Sequence, residues 1–279
     1  MMSIKPGRIG GLIAALLFAG ALLYGVLFGM GSSAQSSLKL GVPDGAPGVF
    51  AHYIANKYQP PVEVVTSLEL YQLQDCCSNK TQMALHAGEV DAAVLCDAAA
   101  KTLIRKDSSY QIIGDWIRGS DVLVVRDHTK VQSIAVASGR SYQTAAIRKK
   151  YGPDCKIMQV MPASMLYALE TGQVEGAVLD ITFIPYLPEG YLSVMSLPGS
   201  GNRQVLVARQ QIIALPAFEA FRKAWQKAAT DLQDTRQLEL CLQNESQRKE
   251  VEGWSPKQKA EVWKQMGIVI PVPGGTALR

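Results

Sequence analysis

After residue 36 the chain alternates short apolar runs with longer stretches in which apolar positions recur at helical spacing. LKLGV at 38–42 reads as a buried strand, closed by Pro43-Asp44-Gly45, and Pro47 then suits the first turn of a helix over about 47–58. VEVVT at 62–66 is β-branched and reads as a second strand. A helix over 80–87 stops at Gly88, and DAAVL at 91–95 makes a third strand. Segments 111–117 and 121–126 read as strands at a crossing point. The pattern then restarts: strand 133–136, turn Ser138-Gly139-Arg140-Ser141, helix 141–151, strand 155–160. From Pro216 onward the chain is helical, with Phe218, Phe221, Ala224, Trp225 and Ala228 on one face. Ser255-Pro256 opens a last helix. Strands alternating with helices predict parallel sheets covered on both faces.

An internal similarity suggests two units of like build. ALHAGEVDAAVL at 84–95 matches ALETGQVEGAVL at 168–179. Each reads as a helix end, a glycine stop, a short acidic turn and a buried strand, with an acid soon after, Asp97 and Asp180.

Before all this lies a different segment. Lys5 and Arg8 precede an apolar run over 9–30 with no charge, followed by Gly31-Ser32-Ser33-Ala34. A positive flank, an apolar core and small residues predict an export signal cleaved after Ala34. The run is also long enough to stay as a membrane anchor with its positive end inside. Export places the rest of the chain outside the cytoplasmic membrane, at the cell surface or in the periplasm. There disulfides are permitted. All five cysteines (Cys76, Cys77, Cys96, Cys155, Cys241) follow the run, and an odd number leaves at least one without an intrachain partner.

The formal net charge is +4, and Lys5 and Arg8 carry two of those charges, so the remainder is close to neutral. No basic stripe suits nucleic acid. Arg148-Lys149-Lys150 reads as a solvated helix face. His52, His86 and His128 are scattered, and no nucleophile-elbow, zinc-protease or Walker sequence appears, so neither an enzyme nor a cofactor is expected.

LKLGVPDGAP, the GEVDAAV segment, IAVASGRSYQTAAIRKKYG and ALETGQVEGAVL together resemble periplasmic solute-binding proteins of ABC transporters. The likeness is greatest to the type II group that binds nitrate, sulfonates and thiamine precursors. It implies an α/β, two-lobed type II fold, each lobe a mostly parallel sheet flanked by helices, with the C-terminal helices on the first lobe. It implies a first lobe of 35–120 plus 208–279 and a second of 121–207, crossing near 119–121 and 202–208. It implies a small ligand between the lobes, and a permease with its ATPase as partners. Asp75-Cys76-Cys77-Ser78-Asn79 departs from the usual ligand loop. The pair is similar to a subgroup in which cysteine and selenocysteine stand together, linked with thiol redox or soft-metal handling.

Ligands of open parallel sheets sit beyond the carboxyl ends of the strands. That rule selects Asp44 and Gly45 after the first strand, Cys76, Cys77 and Ser78 after the second, and Cys96 and Asp97 after the third. In the second unit it selects Ser138, Gly139, Arg140, Ser141, Ser164, Asp180 and Thr182. Each also has a plainer reading. Asp44 suits a turn, Ser138, Ser141, Asp97 and Asp180 suit helix caps, Arg140 suits solvent, and Cys96 suits a small buried apolar site. Cys76, Cys77 and Cys96 are also candidates for a soft metal or for a structural disulfide. The rival to a solute-binding protein is a thiol-dependent redox or soft-metal protein, and a third reading is a tethered structural or sensor domain.

Overall fold

A computed structural model describes residues 37–66, 77–126, 131–187, 193–197, 199, 202–243 and 254–273. The expected export segment lies outside the described residues, among which no helix is long and apolar enough to cross a membrane.

The first sheet is built from β1 (Leu38–Val42), β2 (Val62–Thr66), β3 (Ala92–Cys96), β4 (Tyr110–Arg118) and β10 (Arg203–Arg209), in the order β2-β1-β3-β10-β4. The second comprises β5 (Asp121–Val125), β6 (Ser133–Ala137), β7 (Lys156–Val160), β8 (Gly176–Asp180) and β9 (Ser193–Ser196), in the order β7-β6-β8-β5-β9. The two orders are the same scheme. Three parallel strands with the earliest in the middle are followed by one strand antiparallel to its neighbours and by an edge strand. The antiparallel strand of each sheet, β10 or β5, is the one that has just crossed from the other. The sheets are therefore mixed, although four of five strands in each run the same way. The expected division at 207/208 falls inside β10, which pairs throughout with β3 and β4 of the first sheet.

The helices follow the apolar pattern. α1 (Ala46–Tyr58) buries Phe50, Ala51, Tyr53 and Ile54. α2 (Cys77–Ala87) and α3 (Asp97–Lys106) cover the opposite face of the first sheet through Leu85, Ala100 and Leu103. α4 (Ser141–Tyr151) packs Ala146 and Ile147 on one face of the second sheet. α5 (Met165–Glu170) packs Met165, Ala168 and Leu169 among residues that include Ala135 and Ala177. α6 (Gln210–Ile213) is a single turn leading to α7 (Pro216–Asp231), α8 (Thr235–Gln243) and α9 (Pro256–Gln265).

These tail helices return to the first sheet. Trp225 and Phe221 of α7 lie against Trp116 of β4, at ring centroid distances of 5.2 Å and 6.3 Å, and Phe50 of α1 meets Trp116 from 4.8 Å. The Trp116 indole N–H donates to the carbonyl of Pro47 (3.1 Å), which fixes the start of α1 over the sheet. A Cβ on Gly114 would stand 3.2 Å from the Trp225 ring, so the indole packs close against the strand backbone there.

The crossing between the sheets is tied by one side chain. Asn202 accepts from the Asp121 amide (3.1 Å) and donates to the Asp121 carbonyl (2.7 Å), while its own carbonyl accepts from the Gly119 amide (2.9 Å). Gly119 has φ +80°, a left-handed backbone that suits glycine.

Candidate functional site

The carboxyl ends of the two sets of parallel strands meet. At the end of β1, Gly45 (φ +95°) leads into α1, and at the end of β8 stands Asp180. The Ala46 amide, the first of α1, donates to Asp180 Oδ1 at 2.9 Å. A Cβ on Gly45 would lie 2.6 Å from the Asp180 carboxyl carbon, so a glycine is required here by its backbone and by its neighbour. Oδ1 also accepts from the Thr182 amide (3.1 Å) and from Thr182 Oγ1 (2.8 Å), capping the 3₁₀ turn Ile181–Tyr186. Among the described residues nothing donates to Oδ2.

Behind Asp180 sits a second acid. Asp121 opens β5 directly opposite Asp180 in the antiparallel register, and it is buried. Both its oxygens accept from Arg140 Nη1 at 2.9 Å, and Oδ2 also accepts from Gln143 Nε2 (2.6 Å) and from the Tyr142 hydroxyl. Burial raises the Asp180 carboxyl, the nearby Asp121 charge raises it further, and the hydrogen bonds from Thr182 and Ala46 only partly offset this, leaving its pKa at about 6.

The other selected residues divide. Arg140 is not in solvent: its side chain is only 10% exposed and its charge is matched by Asp121. Neither Ser138 nor Ser141 caps α4. Arg140 occupies the cap position without a side-chain bond to the helix, and Gln143 reaches back to the Ala137 amide instead (2.7 Å). Gly139 has φ +80° and turns the chain between β6 and α4. Asp97 is the first residue of α3, with Cys96 at the cap. Burial works against its ionisation, but bonds from Lys101 and Arg203 outweigh it and hold the carboxyl below its ordinary range. Arg203 also faces Asp115 (3.3 Å), so Asp97 belongs to a charge cluster on the first sheet. Asp44 sits in the turn before Gly45, and Ser164 ends the 3₁₀ turn Pro162–Ser164.

The internal repeat is in register with the fold. Gly88 and Gly172, both with positive φ, end α2 and follow α5, and β3 and β8 are the matching third strands. The equivalent of Asp180 is Cys96 and not Asp97, so the two acids stand one position apart in the repeat.

Cys76 lies outside the described residues, and Cys77 and Ser78 are placed only as the first residues of α2. Cys96, Cys155 and Cys241 are buried, and the disulfide considered between Cys96 and Cys76 or Cys77 involves side chains outside the described residues. Burial pushes the Cys155 thiol up. Among the described residues no group of three or more His, Cys, Asp or Glu is placed to hold a metal.

The sequence pattern missed Asp121, Tyr142 and Gln143. Asp121 begins a run of valine and leucine and reads as the polar edge of a strand. Only its register partner, 59 residues later in the chain, shows what it supports.

No family model matches the chain, and no curated protein does. Solved structures do. The alkanesulfonate-binding protein SsuA from Xanthomonas axonopodis pv. citri, bound to MOPS, is similar at a TM-score of 0.59 and 15% identity, covering 85% of each chain. A ligand-binding component of an ABC-type import system from Staphylococcus aureus, with zinc bound, is similar at 0.61 and 14% identity, covering 86% of each. A periplasmic substrate-binding protein of an ABC transporter from Coxiella burnetii is similar at 0.50 and 21% identity, covering 67% of this chain and 91% of that one. The fold is thus the two-lobed, α/β periplasmic-binding-protein fold.

Proposed function

We propose that this chain is the extracytoplasmic substrate-binding component of an ABC importer, a binding protein and not an enzyme. The observation that carries the reading is the meeting of two equivalent sheet edges at Gly45-Ala46 and Asp180, with two chain crossings tied at Asn202. Loops at carboxyl ends offer backbone amides and helix starts to a ligand, and two short crossings allow one lobe to rotate against the other. The structural likenesses support this architecture.

In this reading residues 1–34 direct export, as a cleaved signal or as an anchor through 9–30. The lobes are 35–120 with the chain from β10 onward, and 121 to the start of β10, the expected 207/208 boundary moving so that β10 stays with the first sheet. Asp44, Gly45, Cys96, Ser138, Gly139, Asp180 and Thr182 face the solute, with Cys77 and Ser78 as further ligand residues. Arg140 and Ser141 shape the floor. A permease and its ATPase accept the loaded form. The sequence likeness to the nitrate, sulfonate and thiamine-precursor group supports the type II architecture, and the ligand's charge is a separate matter. The test is native mass spectrometry of the purified exported domain. One small solute per chain, released on unfolding, is the expected result. A chain that carries no solute and takes none up from a panel of anionic, neutral and cationic metabolites contradicts the reading.

A further inference from the structure

An α-helix amino terminus at a sheet's carboxyl edge ordinarily favours an anion, because its free amides and dipole present partial positive charge. In this chain that place is taken by the protein itself. The first amide of α1, a helix of thirteen residues, is bonded to Asp180 of the other sheet, and Pro47 in the next position has no N–H to offer. Gly45 leaves the carboxylate the space it fills.

The carboxylate is also held in one orientation. Three donors fix Oδ1 and none among the described residues takes Oδ2. Arg140 is committed to Asp121, the register partner of Asp180. The meeting point of the lobes therefore presents a fixed acceptor oxygen on Asp180 and, among the described residues, no cation paired with it. Burial raises this carboxyl and the Asp121 charge raises it further, so an incoming cation would favour its ionised form.

We propose that Asp180 sets the charge of the ligand: Oδ2 accepts from a protonated amine or another cationic donor, while the Oδ1 bond keeps anions off the start of α1. This rests on the solute-binding reading above and narrows it to a ligand class.

The test uses the exported domain, sulfate as the anionic probe, and ethanolamine, choline, lysine and spermidine as cationic probes, followed by calorimetry and by thermal melting at matched ionic strength. The expected result is saturable binding of at least one cationic probe and none of sulfate. Asp180→Asn, which keeps the shape and the acceptor but removes the charge, should weaken that binding tenfold or more while the domain still melts cooperatively. Asp180→Ala, which frees the Ala46 amide, should gain saturable sulfate binding. Saturable sulfate binding by the unaltered protein, silence toward all four cationic probes, or equal cation affinity in Asp180→Asn each overturns the proposal. An anionic or neutral solute found by native mass spectrometry overturns the charge assignment and leaves the solute-binding reading standing. Absence of any solute overturns that reading itself.

Discussion

Asp180 connects local chemistry to stability in a way that can be measured. Its carboxyl rises from 3.8 in the free residue to about 6 in the fold. Below pH 4 it is protonated folded or unfolded. Between about pH 4 and 6 the unfolded chain releases the proton first, so stability falls as pH rises and is then level. A shift of this size corresponds to roughly 2–3 kcal/mol. Asn at 180 can still accept from Ala46 and Thr182, so Asp180→Asn should lack this fall and should gain on the parent protein between pH 4 and 7, as urea unfolding across that range would show. An equal pH profile for both proteins would count against the buried, charge-opposed environment of Asp180. Arg140→Met is expected to act the other way. It leaves Asp121 buried with only Tyr142 and Gln143 as side-chain donors, a loss of about 3 kcal/mol by the usual cost of stranding one partner of a buried pair. A change under 1 kcal/mol in denaturant unfolding would mean the pair is not as enclosed as its geometry indicates. At this scale the sequence was only half informative. The strand-end rule selected Asp180, Thr182, Gly45 and Arg140, but not what each touches. Arg140 finds its counter-charge nineteen positions earlier, and Asp180 finds Ala46 across 134 positions. Such pairings are set by sheet order, which periodicity does not carry.

At the scale of elements, the apolar pattern was a good guide because each helix buries one continuous stripe. α7 covers its expected residues Phe218, Phe221, Ala224, Trp225 and Ala228, and α4 spans the expected 141–151. Strand ends moved by a residue or so. β3 runs through Cys96 and β4 reaches Arg118, since pairing with β10 extends both. The crossings near 121 and 202–208 were read, but not that β5 and β10 run antiparallel to their neighbours, because both are as apolar as the parallel strands. The internal repeat carried more information than either segment alone, for it marks the third strand of each sheet. Two substitutions test the packing. Trp225→Ala removes the ring that joins α7 to Trp116 and should cost about 3–5 kcal/mol, the usual range for a large buried aromatic. Ser255→Ala breaks the capping box with Gln258 at the start of α9 and should cost about 1 kcal/mol. Comparable losses from the two changes in thermal or urea unfolding would contradict the assignment of Trp225 to the core.

For the whole molecule, the fold turns a repeated sheet scheme into two facing edges. The same strand order in each sheet places β1 and β3 on one side and β6 and β8 on the other, and the two returns of the chain bring their carboxyl ends together. Asn202 bonds the Asp121 backbone twice where the returns run side by side, so Asn202→Ala should loosen the crossing without removing a ligand contact. That change is expected to alter the rate or extent of closure more than it alters the ligand's chemistry. The proposed solute-binding function requires closure, and small-angle X-ray scattering measures it most directly. Residues 35–279 are compared before and after removal of the solute that native mass spectrometry identifies. A radius of gyration that grows on removal and contracts again when the solute is returned is the predicted result, and an unchanged radius with binding independently confirmed would contradict it.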